Sequence, residues 1–109
     1  MQIVESKKRD NDLEIAVIGK LDTNSAPELE KYIDENFLKV PVVIRHNLIL
    51  DLSGVNYISS SGVRVIIATY KNCLANKEKA LALYIKNPSD FCKQVFETIG
   101  IAQYLTFIK

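Results

Sequence analysis

The run Ser59-Ser60-Ser61-Gly62 contains the side chains of this sequence best suited to chemistry. A serine hydroxyl becomes a nucleophile only when a base lies within hydrogen-bond reach. The sole histidine, His46, precedes the apolar segment LILDL, whereas the serines follow it, so roughly 20 Å of extended chain separates them. The run also lacks the flanking glycines of a nucleophile elbow and the Gly-Lys-Ser/Thr order of a phosphate-binding loop. The sequence therefore does not favour a catalytic serine–histidine pair.

Two other roles remain open for the serines, because a helical pattern begins directly after them. A serine at a helix start can accept a hydrogen bond from a backbone N–H of the first turn, which makes the run a capping turn. A helix N-terminus also carries positive partial charge and tolerates a phosphate, which adds about −1.5 to −2 charges. Reversible modification of one serine is the second interpretation.

Other polar and thiol side chains give weaker signals. Asp22 and Asp51 lie near the ends of predicted strands, but two carboxylates are too few for a dedicated cation site. Cys73 and Cys92 with one histidine make no metal constellation, and we expect buried thiols in a reducing compartment. We expect neither a metal nor a cofactor. An alternative function is a small-ligand-binding or enzymatic domain with a pocket formed by Asp22, Asp51 and the serine loop.

The elements that must position these residues alternate in the order β-β-α-β-α-β-α-β. This order predicts a single α/β domain over residues 1–109, with a mixed, largely parallel sheet of four to five strands and helices packed against it. We expect the strand Gln2–Glu5 to pair with the next strand, which ends near Gly19, through a turn at Lys7–Asn11. The segment LILDL predicts a strand that is buried on both faces and ends at Ser53-Gly54.

Three helices are predicted between and after these strands. Ser25 and Glu28 have the spacing of a capping box, and the helix they begin runs to about Phe37. Pro41 excludes a helix from the connection at residues 38–47. Two apolar stripes predict the later helices, the last of which is capped by Asn87 or Ser89 and stops at Gly100. The stripes are Val63, Ile66, Ile67, Tyr70 and Leu74 in the central helix, and Phe91, Val95, Phe96 and Ile99 in the last.

Charge and hydropathy exclude two classes of partner. Fourteen basic and thirteen acidic residues leave a net charge of +1, which provides no field to attract nucleic acid. No apolar run approaches the roughly 20 residues that span a bilayer, and the N-terminus lacks the order of a signal peptide. We therefore expect a cytoplasmic protein without a membrane span.

Two segments resemble the STAS domain family, named for sulphate transporters and anti-sigma-factor antagonists. LILDLSGVNYISSSGVRVII resembles the central segment of these domains, and GKLD, which ends at Asp22, matches their second short signature. The ending FETIGIAQYLTFI is also similar to theirs. The resemblance implies a regulatory protein without enzymatic activity, which binds an anti-sigma factor that is also a serine kinase. In that family a PP2C-type phosphatase reverses the phosphorylation.

The resemblance also implies roles for individual residues. Ser60 matches the serine that the kinase modifies, with Asp22, Ser59, Ser61, Gly62 and Arg64 around it. Ser59 stands where the well-studied antagonists carry aspartate, Arg64 replaces a small residue, and the connection at 38–47 is longer. A STAS module that acts as a scaffold, with the serine serving only as a cap, is a further alternative.

Overall fold

The strands and helices follow one another in the predicted order in the computed structural model, which describes residues 1–5, 12–40, 47–75 and 82–109. The strands are β1 (Gln2–Glu5), β2 (Leu13–Leu21), β3 (Leu48–Ile58), β4 (Leu83–Lys86) and β5 (Thr106–Ile108). The helices are α1 (Ala26–Ile33), α2 (Ser60–Ala75) and α3 (Asp90–Thr98), with a π-helical turn (Asp34–Leu38) after α1 and a 3-10 turn (Ala102–Tyr104) before β5. The predicted turn at Lys7–Asn11, Pro41 and His46 lie outside the described residues.

The sheet is mixed and largely parallel, as predicted. Its strands lie in chain order, with β1 antiparallel to β2 and every later neighbour parallel. Each connection between parallel strands leads to the adjacent strand, always in the same direction across the sheet. Crossover connections of this kind are right-handed. The helices α1, α2 and α3 therefore lie on the same face of the sheet.

Burial along the central strands confirms that the helices cover one face. The helix-facing side chains of β2 and β3 are fully or nearly fully buried: Leu13, Ile15, Val17, Leu48, Leu50 and Leu52. Glu14, Ile49 and Asp51, which point to the opposite face, are only half-buried. The prediction that LILDL is buried on both faces is therefore wrong, because no helix in the described ranges covers the second face.

Strand β3 is longer than the sequence indicates. The register between β2 and β3 shifts at Ser53-Gly54, and the strand then continues to Ile58, which lies beside Leu21 at the end of β2. The Asp51 carboxylate accepts hydrogen bonds from the N–H and the hydroxyl of Ser53, at 2.9 and 2.7 Å. This local bonding makes the pair an irregularity within a strand instead of a turn that ends it. The extra length brings the serine run to the end of β2.

Helix α3 is joined to the middle of β3 through Ser89. The Ser89 hydroxyl caps α3 by accepting from the Cys92 N–H at 3.2 Å, and it donates to the Val55 carbonyl at 2.6 Å. The Ser89 N–H also donates to the Leu52 carbonyl at 3.3 Å. Of the two predicted caps, Ser89 is correct, while Asn87 adopts a positive φ of 45° just before it.

The buried stripe of α2 differs from the prediction at its C-terminal end. Leu74 is 64% exposed, whereas Thr69 and Cys73 are buried. Thr69 is tolerated there because its hydroxyl donates to the Val65 carbonyl at 2.8 Å, so its polar atom stays satisfied. No helix within the described ranges is long and apolar enough to cross a membrane.

Candidate functional site

Ser59 is the residue that caps α2. Its N–H donates to the Leu21 carbonyl at 2.9 Å, which fixes the loop against the end of β2. Its hydroxyl accepts a long hydrogen bond from the Gly62 N–H at 3.4 Å, and its carbonyl accepts from the Val63 N–H at 3.0 Å. Serine is one of the favoured cap residues, so its type suits the position that Ser59 holds at the start of α2.

The two serines that follow have different surroundings. Ser61 is half-buried, and its Oγ lies 3.4 Å from Thr23 Oγ1 on the loop between β2 and α1. Ser60 is exposed, and its hydroxyl has no hydrogen-bond partner among the described residues. Of the three serines, Ser60 therefore presents the most accessible oxygen to another molecule.

Gly62 allows the first turn of α2 to approach β2 closely. It is buried, and an added Cβ would lie 2.7 Å from Leu21 Cγ, 2.8 Å from the Leu21 carbonyl oxygen and 3.0 Å from Ile58 Cγ1. Any larger residue must therefore displace the helix or the strand end. The glycine of the motif has a packing role here, and it determines where the serines lie.

Asp22 begins the neighbouring loop with a reciprocal pair of hydrogen bonds. Its Oδ1 accepts from the Asn24 N–H, the Ser25 N–H and the Ser25 hydroxyl, at 3.1, 3.0 and 3.1 Å. The Ser25 Oγ in turn accepts from the Asp22 N–H at 2.9 Å. The predicted capping box of Ser25 with Glu28 is wrong, because Ser25 makes no side-chain cap for α1 and pairs backwards with Asp22. These hydrogen bonds lower the pKa of Asp22. The bond from the Ser25 N–H has the largest effect, and the bond from the Ser25 hydroxyl has the next largest.

The lowered pKa of Asp22 leads to a prediction about stability and pH. A carboxyl whose folded pKa lies below its ordinary value of 3.8 stabilises the fold above that pH, and this contribution disappears as the pH falls through the folded pKa. We expect Asp22→Asn to unfold at lower urea concentration than the wild type at pH 7. The difference between their urea midpoints should become smaller once the pH falls below 3.8. The control is Glu97→Gln, which removes an exposed carboxylate on α3. The expectation is contradicted if the urea midpoints of Asp22→Asn and the wild type differ by the same amount at pH 7 and at the acidic pH.

A shallow apolar groove between α2 and α3 begins at Ser60. Its volume is about 330 Å³. It is lined by Ser60, Val63, Arg64, Ile67, Val95 and Ile99. We call this feature the α2–α3 groove. A larger cavity of about 710 Å³ lies on the other side of α3 against β5, remote from the serines, and contributes nothing to this site.

Sequence reasoning missed the α3 wall of this groove, because its residues look like part of the core. Helix α3 carries two apolar stripes: Cys92 and Phe96 are fully buried, whereas Phe91 and Ile99 are 43% and 49% exposed, with Val95 half-buried between them. Phe91 also packs edge to face against the exposed Tyr57 at 5.5 Å between ring centroids. The spacing of residues 91, 95 and 99 by four is the signal that reveals the second stripe.

The structure does not assemble the pocket that the enzymatic alternative requires. Asp51 lies within the sheet beside Lys86, and Ile58 at the strand end is seven positions further along β3, so Asp51 is roughly 20 Å from the serine loop. No group of three or more metal-ligating side chains occurs in the part of the chain that the structure describes. The predicted burial of Cys73 and Cys92 is confirmed.

These features define a mixed α/β domain in which one exposed serine stands beside an apolar groove. A family profile described as STAS domain matches residues 4–109, and the chain belongs to this family. The anti-sigma-B factor antagonist of Listeria monocytogenes is 29% identical over 103 residues, which cover 94% of this chain and 84% of that protein. Within the STAS family, its sequence is similar to that of an anti-sigma factor antagonist.

Solved structures support the fold independently. The anti-sigma factor antagonist SpoIIAA in its unphosphorylated form has a TM-score of 0.77 at 16% identity, covering 99% of this chain and 89% of that one. The Bacillus cell fate determinant SpoIIAA in the phosphorylated form has a TM-score of 0.71 at 16% identity, covering 99% and 92%. The same arrangement of strands and helices therefore occurs in a protein solved in both phosphorylation states.

Proposed function

We propose that this chain is a partner-switching regulator controlled by phosphorylation of Ser60. The unphosphorylated form binds an anti-sigma factor that is also a serine kinase, and the kinase releases itself by modifying Ser60. A PP2C-type phosphatase restores the binding form. We place this exchange in the cytoplasm, where the kinase has access to ATP. The observation that carries the proposal is the exposed Ser60 hydroxyl at one end of the apolar α2–α3 groove.

The relatives support the proposal through what their names state. The Listeria protein is an anti-sigma-B factor antagonist, and SpoIIAA is an anti-sigma factor antagonist with a phosphorylated form. The surroundings of Ser60 supply the physical support. Ser59 is occupied by capping and Ser61 lies close to Thr23, so Ser60 offers the free oxygen that phosphoryl transfer requires.

The groove supports the choice of a protein as the partner. It is lined mainly by aliphatic side chains. Its α3 wall belongs to the same helix stripe as the exposed Phe91, which packs against Tyr57. Apolar surface of this kind next to a polar mark suits a protein interface. A small ligand would require several convergent polar groups, whereas Ser60 and Arg64 are the polar residues of the lining.

Phosphorylation with a co-encoded kinase of the anti-sigma type tests the proposal. The purified chain is incubated with the kinase and ATP, and the product is mapped by mass spectrometry. We expect a single phosphate on Ser60 in the wild type and in Ser61→Ala, and none in Ser60→Ala. Ser61→Ala is the matched control, because it removes the adjacent hydroxyl and leaves the exposed one. A phosphate that persists in Ser60→Ala contradicts the assignment, and unmodified wild type favours the scaffold alternative.

A further inference from the structure

Arg64 is the charged residue of the α2–α3 groove, and it lies one helical turn beyond Ser60. Both residues are exposed and both line the groove. Residues four apart on a helix are neighbours on its surface, about 5–6 Å apart at Cβ. Arg64 makes no ion pair with any residue in the described ranges. Its guanidinium can therefore turn toward whatever charge appears at Ser60.

We propose that Arg64 binds the phosphate of phosphoserine 60 within the same chain. This inference rests on the proposed phosphorylation of Ser60. It adds that phosphorylation changes the charge of the α2–α3 groove through Arg64. A guanidinium can donate two parallel hydrogen bonds to phosphate oxygens, an arrangement that a lysine ammonium does not reproduce. The order is also favourable, because an anion four residues before a cation agrees with the helix dipole.

The pairing reverses the charge at this end of the groove. Before modification, Arg64 contributes one positive charge beside the aliphatic side chains of Val63 and Ile67. A phosphoserine carries about −1.5 to −2 charges, so the Arg64–phosphoserine pair has a net charge of about −0.5 to −1. A carboxylate on the partner is attracted to the first state and repelled by the second. The partner chemistry that fits is therefore an apolar ridge flanked by an acidic side chain.

The second ionisation of the phosphate provides a direct measurement. Phosphoserine is installed at position 60 by genetic encoding, and its pKa is followed by phosphorus NMR in the full chain and in three variants. A nearby cation stabilises the dianion, so we expect Arg64→Gln to raise the phosphate pKa by about 0.3 unit, the size of one exposed helical ion pair. Arg64→Lys should keep only part of the effect, because the ammonium retains the positive charge but not the two parallel hydrogen bonds. The Arg64 Nε–H resonance should titrate together with the phosphate in the unsubstituted chain.

The control is Lys71→Gln, which removes an exposed cation from the same helix. It lies 11 residues from Ser60, about 16 Å along the helix, and should leave the phosphate pKa unchanged. Asp22 is the carboxylate on the adjoining loop, and it is present in every variant, so its repulsion cancels in the comparison. The proposal is overturned if Arg64→Gln and the unsubstituted chain have the same phosphate pKa.

Genetic encoding separates this result from the proposed function. The measurement needs no kinase, so a chain that no kinase modifies still gives an answer about Arg64. Conversely, an efficiently phosphorylated Ser60 with no response from Arg64 would leave the partner switch intact and reject only the pairing.

Discussion

Phosphorylated Ser60 is expected to weaken binding of the anti-sigma partner about a thousandfold, which corresponds to roughly 4 kcal/mol. The physical reason is loss of hydration. Even when paired with Arg64, a phosphate at the end of the apolar α2–α3 groove leaves a net negative charge that must give up its water when the partner covers it, and burying such a charge is costly. Disruption of one central, well-packed region of an interface is enough to supply this loss.

Titration calorimetry with an anti-sigma factor of the proposed kinase type measures the effect. The chain with encoded phosphoserine at position 60 is compared with the unmodified chain and with Ser60→Ala, which should bind within a few-fold of the wild type. Asn72→Asp adds a negative charge to an exposed position of the same helix outside the groove, and it should have little effect. A phosphorylated chain that binds as tightly as the unmodified one would show that the interface lies elsewhere.

Gly62→Ala is expected to destabilise the fold by about 1 kcal/mol, although helix propensity alone predicts the opposite. Alanine is favoured over glycine inside a helix by roughly 1 kcal/mol. At this position, however, the new Cβ meets Leu21 Cγ at 2.7 Å and the Leu21 carbonyl oxygen at 2.8 Å. Overpacking of this kind costs about 1–3 kcal/mol, and the backbone oxygen cannot move away as a flexible side chain can. The clash should therefore exceed the gain in propensity.

Urea unfolding at pH 7 decides between the two effects. Ser61→Ala is the matched control, since it makes the neighbouring residue alanine and loses only the long contact with Thr23. We expect its stability to change by less than about 0.5 kcal/mol. A Gly62→Ala chain that is more stable than the wild type would mean that α2 shifts away from β2 without penalty.

The sequence predicts the order of the elements because strand and helix periodicities are local properties of the chain. It also predicts that the serine run begins a helix, and that Ser89 is one of two candidate caps for α3. It fails where a local signal has two physical outcomes. Ser53-Gly54 reads as a turn, yet the Asp51 carboxylate holds Ser53 in an irregular strand that continues to Ile58.

The apolar stripe of α3 is a second feature that the sequence predicts only in part, for a different reason. Periodicity places Phe91, Val95, Phe96 and Ile99 on one apolar side of α3. It does not reveal that Phe96, together with Cys92, fills the space above the sheet while the other three lie outside it. Exposure of these three residues depends on how α3 packs, which is a tertiary property. The α2–α3 groove therefore becomes visible only when both helices are placed on the sheet.

The attachment of α3 to β3 has a consequence for how the groove binds. One wall of the groove belongs to α2, which begins directly after β3, and the other belongs to α3, whose cap Ser89 is hydrogen-bonded to Val55 and Leu52 of the same strand. Both walls thus have a common anchor, and their separation is set before any partner arrives. A preorganised surface loses little conformational entropy on association. A change in charge at Ser60 can then alter affinity directly, without first reshaping the domain.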